Sequence, residues 1–318
     1  MLNNLSNFFN LIKTKKFKKT PELKDVFAMG TLDRRSGGGY KPTFIQWEDI
    51  LESLPTENTW EIPTVAFVNP TTGDNATAVI GNGNKPYATI AAAEAASNIV
   101  FLQPDEYTEV IALASGKTYF SYPGVIFTTG GIVSVGTSLS NIKFLGYAKF
   151  FGNQNLIRLD NIELTNVVIE FDSAETTSGA AGGCCFIDCD NPSTLTWKCN
   201  SLKDIYNNGA FGAVFKGPIT GTLDVAESII GSYGVLQLGF SGEYLHNFTV
   251  NCPRIVCLDG GIAGNLDAYK QAVNYGGTEA GYKTTINGNI YHEVVGTLGN
   301  TSGCVVARYS GGGTLEIN

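Results

Sequence analysis

Residues 99–113 read Ile99-Val100-Phe101-Leu102-Gln103-Pro104-Asp105-Glu106-Tyr107-Thr108-Glu109-Val110-Ile111-Ala112-Leu113. The stretch divides into an apolar run of strand length, a proline-led turn carrying Tyr107, and a second apolar run. Pro104 fixes its own φ and stiffens the turn. Both runs are too short for helices and rich in β-formers, so each reads as a strand.

Upstream, Val65–Val68 reads as another short strand. It is followed by a Gly/Asn/Thr-rich loop over 69–84 and by an Ala-rich helix near 89–96, which Thr89 can cap. Downstream, strands follow almost without pause, as in 117–122, 142–145, 162–171, 184–188, 194–198, 222–225 and 254–258. Gly, Asn or Asp usually separates one from the next. A β-sandwich would supply similar strands, so spacing carries more weight than strand count. Ser140-Asn141-Ile142-Lys143-Phe144 and Asp160-Asn161-Ile162-Glu163-Leu164 share a pattern 20 residues apart, with weaker echoes at 201–205 and 246–250. A period of that size fits one turn of a solenoid, whose successive units bury their apolar faces on each other.

Asn69, Gly73-Asp74 and Gly81-Asn82-Gly83 lead to Lys85-Pro86-Tyr87-Ala88-Thr89-Ile90, the Ala-rich helix and the 99–113 stretch. This succession resembles the opening segment of the pectate-lyase-like superfamily. There, a Gly/Asp-rich loop leads to a Pro-aromatic-x-Thr-Ile helix start, and a first coil reads strand, Pro-Gly-x-Tyr-x-Glu, strand. Asp105 stands where that pattern has Gly. The resemblance covers about 45 residues and implies an all-β right-handed parallel β-helix over 61–318, with the helix capping its first coil. The superfamily holds polysaccharide lyases and hydrolases and many tail-spike and fibre proteins of tailed phages.

The charge distribution favours the phage branch. Residues 1–41 carry a net charge of +6 and the remainder −14, within an overall −8. A basic arm on an acidic body points to two environments. Phosphate contacts need Lys and Arg, so the acidic body argues against nucleic acid as its main partner. Residues 1–60 read as a virion-attachment region. An amphipathic arm (Leu2, Leu5, Phe8, Phe9, Ile12) comes first, then a flexible linker at Arg34–Gly39, then a short helix through Ile45, Trp47, Ile50, Leu51 and Leu54 that stops at Pro55. No apolar run approaches the roughly 20 residues of a membrane span. In the opening residues the positive charges follow the apolar stretch, the reverse of a secretory signal, so no export is expected.

The chemistry-bearing residues are sparse. Glycoside hydrolysis needs two carboxylates on the sugar-facing surface. The candidates are Asp160, Glu163, Glu170 and Asp172 on one face, with Asp188 and Asp190 further along; ordinary solvated strand charge explains them equally well. Two histidines, His246 and His292, and no Gly-x-Ser-x-Gly turn leave a His-based triad without support. Of the seven cysteines, Cys184, Cys185, Cys189 and Cys199 cluster without a CxxC, so they read as buried apolar side chains rather than metal ligands. No cofactor or metal is expected. Tyr119, Tyr122, Tyr147, Tyr206, Tyr233 and Tyr244 form either a sugar-stacking surface or a packing surface between subunits.

The expectation is a structural, adhesive subunit of a tailed-phage virion: a tail fibre, tail spike or head fibre, assembled in the host cytoplasm. By family resemblance it is a homotrimer, joined to other virion proteins through residues 1–60 and contacting a host-surface glycan or protein. The alternatives are a polysaccharide lyase or hydrolase of the same fold, or a bacterial surface adhesin. At the far end, Ile286-Asn287 is matched by Ile317-Asn318, offset by 31 residues, while the Asn-Gly turn and strand that follow the first pair have no counterpart after the second. The expectation there is that the natural chain continues or that another subunit covers this end.

Overall fold

The computed structural model describes residues 27–31, 41–45 and 65–318, apart from 130, 154, 177–182, 205–210, 232–233, 240–243, 260–270, 276, 295–304 and 309–312. The chain divides into two compact units, Met1–Glu61 and Ile62–Asn318. In the first unit, β1 (Phe27–Thr31) pairs antiparallel with β2 (Lys41–Ile45). The expected helix therefore loses its front: Ile45 pairs with Phe27 as a strand residue. The amphipathic arm, the Arg34–Gly39 linker and residues 46–55 lie outside the described residues.

The second unit is mostly strand and its sheets are parallel. In one stack the order runs β3 (Val65–Val68), β4 (Ile99–Leu102), β7 (Thr118–Ser121), β10 (Ser138–Gly146) and β13 (Glu163–Glu170). It continues through β16 (Ser193–Asp204), β18 (Ile219–Gly231), β20 (Phe248–Asp259), β22 (Lys283–Val294) and β24 (Thr314–Ile317). A second run, β5 (Asp105–Tyr107), β8 (Val125–Phe127), β11 (Lys149–Gly152) and β14 (Ser173–Thr176), joins the same sheet because β14 pairs with the far half of β16. From β16 onward, one long bent strand does what two short ones do earlier. A separate eight-stranded sheet contains β6 (Ile111–Leu113), β9 (Ile132–Ser134), β12 (Ile157–Leu159) and β15 (Cys185–Asp188). Its remaining members are β17 (Phe211–Lys216), β19 (Gly234–Leu238), β21 (Gln271–Tyr275) and β23 (Val305–Arg308).

Alternation along each strand explains the core. In β4 and β7, Val100, Leu102 and Tyr119 point inward and are fully buried, while Ile99, Phe101 and Phe120 lie on the outer face, half-buried. Inward residues from all three runs merge into one apolar cluster. Through it runs a file of rings: Tyr107, Phe127, Phe150, Phe171, Trp197, Phe215 and Phe248, with successive centroids 5.0–5.9 Å apart. Edge-to-face contacts at Phe171, Trp197 and Phe215 match the favoured geometry of aromatic pairs.

The helix α1 (Ile90–Ala96) lies at the start of the stack and buries Ile90 and Ala93. Thr89 caps it, its hydroxyl accepting from the Ala92 amide at 3.3 Å, and the Glu109 carboxylate accepts from the Ile90 amide. Tyr107, fully buried, donates its single hydroxyl proton between the Val68 and Gln103 carbonyls, at 2.9 and 2.8 Å.

The register differs from the spacing suggested by the sequence. Asn141 lies opposite Asn166, 25 residues on, rather than Asn161, because β10 pairs Ser140 with Thr165 and Ile142 with Val167. Both asparagines bend their strands in the left-handed region, at φ 55°, and the Asn166 amide donates to the Asn141 side chain at 2.9 Å. Asn287-Gly288 is likewise no turn between strands. It is a kink inside β22, with Gly288 at φ +152° pressed so close to the Cys252 carbonyl that no Cβ fits. The sequence match at offset 31 is a true register pair: Ile286 lies opposite Ile317.

Candidate functional site

One regular surface is the outer face of the first stack from β16 to β24. In β16, Leu195 and Trp197 point inward, so Thr194, Thr196 and Lys198 point out. Register carries this alternation across the sheet. Thr194 lies opposite Thr220, Thr196 opposite Thr222, and Lys198 opposite Asp224. The next rungs add Thr249 and Asn251, then Thr285 and Asn287, then Glu316. One column is therefore Thr196, Thr222, Thr249 and Thr285, and its neighbour is Lys198, Asp224, Asn251 and Asn287. The groups form a lattice with steps of about 4.8 Å between strands and about 6.7 Å along them.

The acid–amide column is hydrogen-bonded from Asp224 onward. Asn251 donates to the Asp224 carboxylate at 2.6 Å, Asn287 to Asn251 at 2.7 Å, and Asn318 to Asn287 at 2.9 Å. Each bond fixes an amide rotamer, and the bond to Asp224 is charge-assisted. The threonine column differs. Among the described residues, no hydrogen bond engages the hydroxyls of Thr196, Thr222, Thr249 or Thr285. Each offers a donor and two acceptor positions from a β-branched, stiff side chain. Such a lattice can bind a ligand rich in hydroxyl groups while losing little conformational entropy.

Beside its C-terminal rungs sits a second cluster. His246 stacks on Tyr282, centroids 4.0 Å apart and rings within 6° of parallel, and its Nε2 lies 2.8 Å from the Glu279 carboxylate. Lys283 forms an ion pair with Glu316 at the margin of the lattice.

The four carboxylates expected on one face, Asp160, Glu163, Glu170 and Asp172, and the two expected further along, Asp188 and Asp190, are distributed over several strands. Asp160 and Asp188 end adjacent strands, following the paired Leu159 and Ile187, and each meets a cation: Arg158 at 2.5 Å and Lys216 at 2.7 Å respectively. Asp188 is buried and Asp190 exposed. Glu163 opens β13 opposite Ser138, whereas Glu170 pairs in register with Lys198 and so continues the acid–amide column upward. Asp172, beyond the end of β13, accepts from Asn200 at 2.5 Å and lies 3.5 Å from Lys149.

The tyrosines do not form one platform. Tyr119 is fully buried and donates to Glu94 at 2.6 Å, because its strand parity points it inward. Burial pushes its hydroxyl up from the usual tyrosine range, and burial likewise raises Glu94. Tyr122 packs on Phe101, and Tyr147 is 38% exposed. Tyr206 and Tyr233 lie outside the described residues. Phe101 stacks on Phe120 at 4.7 Å, so those rings cover each other's faces. Cys184, Cys185, Cys189 and Cys199 are buried thiols, as are Cys252 and Cys257. Burial raises Cys185 and Cys189 to about 12, which makes them poor nucleophiles.

The lattice was visible in the sequence only as a faint signal. Thr194-x-Thr196-x-Lys198, Thr220-x-Thr222-x-Asp224 and Asn247-x-Thr249-x-Asn251 repeat a polar-x-Thr-x-polar pattern, but nothing in the sequence reveals that these segments are adjacent. Among the described residues, no helix is long and apolar enough to cross a membrane. No protein-family model, curated protein or solved structure matches the chain.

Proposed function

We propose that this protein is a structural and adhesive subunit of a tailed-phage fibre or spike. Its body is a right-handed parallel β-helix, residues 1–60 join it to other virion proteins, and three copies assemble with their outer faces toward the host surface. The observation that carries this reading is the 69–113 segment. Its Gly/Asp-rich loop, capped helix and Pro-Asp-Glu-Tyr turn resemble the opening of the pectate-lyase-like superfamily, and they lie where the parallel stacks start. The basic arm and acidic body supply the phage half of the argument.

Mass spectrometry of purified particles tests the assignment, together with reconstitution using a chain lacking residues 1–60. The expected result is incorporation of the full chain and exclusion of a truncated chain that remains β-rich by circular dichroism. A truncated chain that still joins particles refutes the attachment role.

The second reading is a polysaccharide-cleaving enzyme of the same fold. It has the carboxylate-bound imidazole of His246 in its favour, since such a pair is the core of many general bases. Release of new reducing ends from host polysaccharide, abolished in His246→Gln, would establish it.

A further inference from the structure

We propose that Asn82 is a self-modifying residue: the backbone nitrogen of Gly83 attacks its side-chain amide, and the loop that closes the first rung of the stack is rewritten as a result. The inference stands apart from the virion reading and needs no reactant but water. Three observations carry it.

The first is the residue pair. Cyclisation needs an Asn followed by an unhindered nitrogen, and glycine, with no Cβ, leaves that nitrogen most open and the chain most free to turn. The described residues hold two Asn-Gly pairs, Asn82-Gly83 in the loop over 69–84 and Asn287-Gly288 inside β22. In the reaction the Gly83 nitrogen bonds to Asn82 Cγ and the Cγ–Nδ2 bond breaks. The amide leaves as ammonia with the proton that Gly83 gives up, and the product is a cyclic succinimide. Water then opens the ring at either carbonyl. One opening gives aspartate; the other gives isoaspartate, in which the main chain runs through Cγ. One water enters and one ammonia leaves, with no change of oxidation state.

The second is the contrast between those two pairs. The Asn82 side-chain oxygen accepts from the Asn84 amide at 2.9 Å, so a donor already faces the atom on which negative charge develops during the attack. Asn82 is partly exposed, which admits water, and among the described residues no hydrogen bond engages the Gly83 N–H. The other pair is held in place. The Gly288 N–H donates to the Asn318 carbonyl at 3.2 Å. The Asn287 side chain is bonded at both ends, donating to Asn251 at 2.7 Å and accepting from Asn318 at 2.9 Å. Gly288 is also pressed against the Cys252 carbonyl, so the strand resists the rotation that cyclisation needs.

The third is position. Gly81 donates to the Val65 carbonyl at 2.7 Å, Lys85 to the Asn82 carbonyl at 3.1 Å, and the Gln103 side chain to the Gly83 carbonyl at 2.9 Å. The pair therefore lies among the bonds that tie the loop to β3 and to the turn after β4. In an isoaspartate the Asn82 carbonyl leaves the main chain as a free carboxylate, and a methylene takes its place. The Lys85 bond loses its acceptor, and the spacing between the Gly81 and Gly83 anchors changes. The loop is thus a cap that loosens as the protein ages.

The test holds the full-length protein at neutral pH and physiological temperature in heavy-oxygen water, with peptide mapping by mass spectrometry over time. Isoaspartate is identified by labelling with an isoaspartyl methyltransferase. Asn208-Gly209, which lies outside the described residues, is followed on its own peptide. Conversion of amide to acid at Asn82 with uptake of heavy oxygen, and isoaspartate among the products, is expected. The rate at Asn82 should exceed that at Asn287 by about tenfold or more, the factor set by a barrier difference of about 1.4 kcal/mol. In urea the two rates should converge, because the difference rests on the fold. Gly83→Ala crowds the nitrogen, while its Cβ has as nearest neighbours the end of the Gln103 side chain at 3.3 Å and the Phe67 ring at 3.6 Å. That variant should keep the parent's circular dichroism and slow conversion by about tenfold. Asn82→Gln, which keeps the amide but places it one methylene further out, serves as an independent second variant and should also convert far more slowly. In the aged parent, hydrogen exchange should quicken at Gly81 and Lys85. Equal rates at Asn82 and Asn287 in the folded protein, a difference that persists in urea, acid formed without isoaspartate, or variants that convert as fast as the parent each overturn the proposal. Unchanged exchange at Gly81 and Lys85 in the converted protein overturns the loosening of the cap.

Discussion

Replacing Tyr107 by Ala should cost the body about 4 kcal/mol, within the range for deleting a buried aromatic ring. The ring is fully buried, lies 5.3 Å from Phe127 and heads the internal aromatic file. The hydroxyl is a smaller part of the effect. Its one proton is shared between the Val68 and Gln103 carbonyls, and Val68 also accepts from the Gln103 amide at 3.0 Å. Tyr107→Phe should therefore cost only about 1 kcal/mol. At 2–4 °C per kcal/mol for a domain of this size, the Ala variant falls by roughly 8–16 °C and the Phe variant by a few degrees. Urea unfolding followed by circular dichroism gives the free energies, and thermal melts give the midpoints. Burial also raises the Tyr107 hydroxyl well above its ordinary value near 10. The folded state thus keeps a proton that the unfolded chain releases. The associated stability is present in full below about pH 10 and is lost as pH rises beyond it. Tyr107→Phe should flatten that alkaline decline. An Ala variant melting within a degree of the parent, or a Phe variant as damaged as the Ala one, would refute the reasoning.

Other outcomes follow from the same geometry. Asn251→Asp places a second carboxylate against Asp224 and removes the donor between them, so it should destabilise the body by about 1–3 kcal/mol at neutral pH. Acidification toward the carboxylate range should restore most of that loss, measurable by urea titration at two pH values. Gly288→Ala should be among the most damaging small substitutions, because a Cβ collides with the Cys252 carbonyl at φ +152°; failure to lower the melting midpoint would show that β22 can straighten. Glu94 is held above its ordinary range by burial, so its folded form favours the proton and its effect on stability worsens as pH rises through that raised value. Glu94→Gln keeps an acceptor for Tyr119 and should raise the melting midpoint at pH 7 but not in acid.

The strand texture was legible because period-2 alternation and Gly/Asn punctuation are local properties of the chain. The capped helix and the Tyr107 turn were legible for the same reason, since Thr89 and Pro104 act on their immediate neighbours. One long-range pair, Ile286 with Ile317, was readable because both members keep the same Ile-Asn text. Most of the register was not. Paired residues stand 19 apart at Ile99 and Thr118 but 36 apart at Phe248 and Thr284, since only the strand rungs are constrained while the loops between them vary in length. A fixed-period search therefore matched Asn141 with Asn161, where packing chose Asn166.

The candidate site lies almost wholly on that second side. Which carboxylate meets which cation depends on register, and so Asp160 ended beside Arg158 and Asp188 beside Lys216, while Glu170 pairs with Lys198 in a different sheet. Tyr119 went to the core by strand parity, which a shift of one residue would have reversed. The sequence by itself determined that short strands would form and which of their faces were apolar. Only the tertiary structure decided which strands became neighbours, because that choice depends on burial summed over the whole stack. It was this choice that turned scattered Thr and Asn residues into one ordered surface.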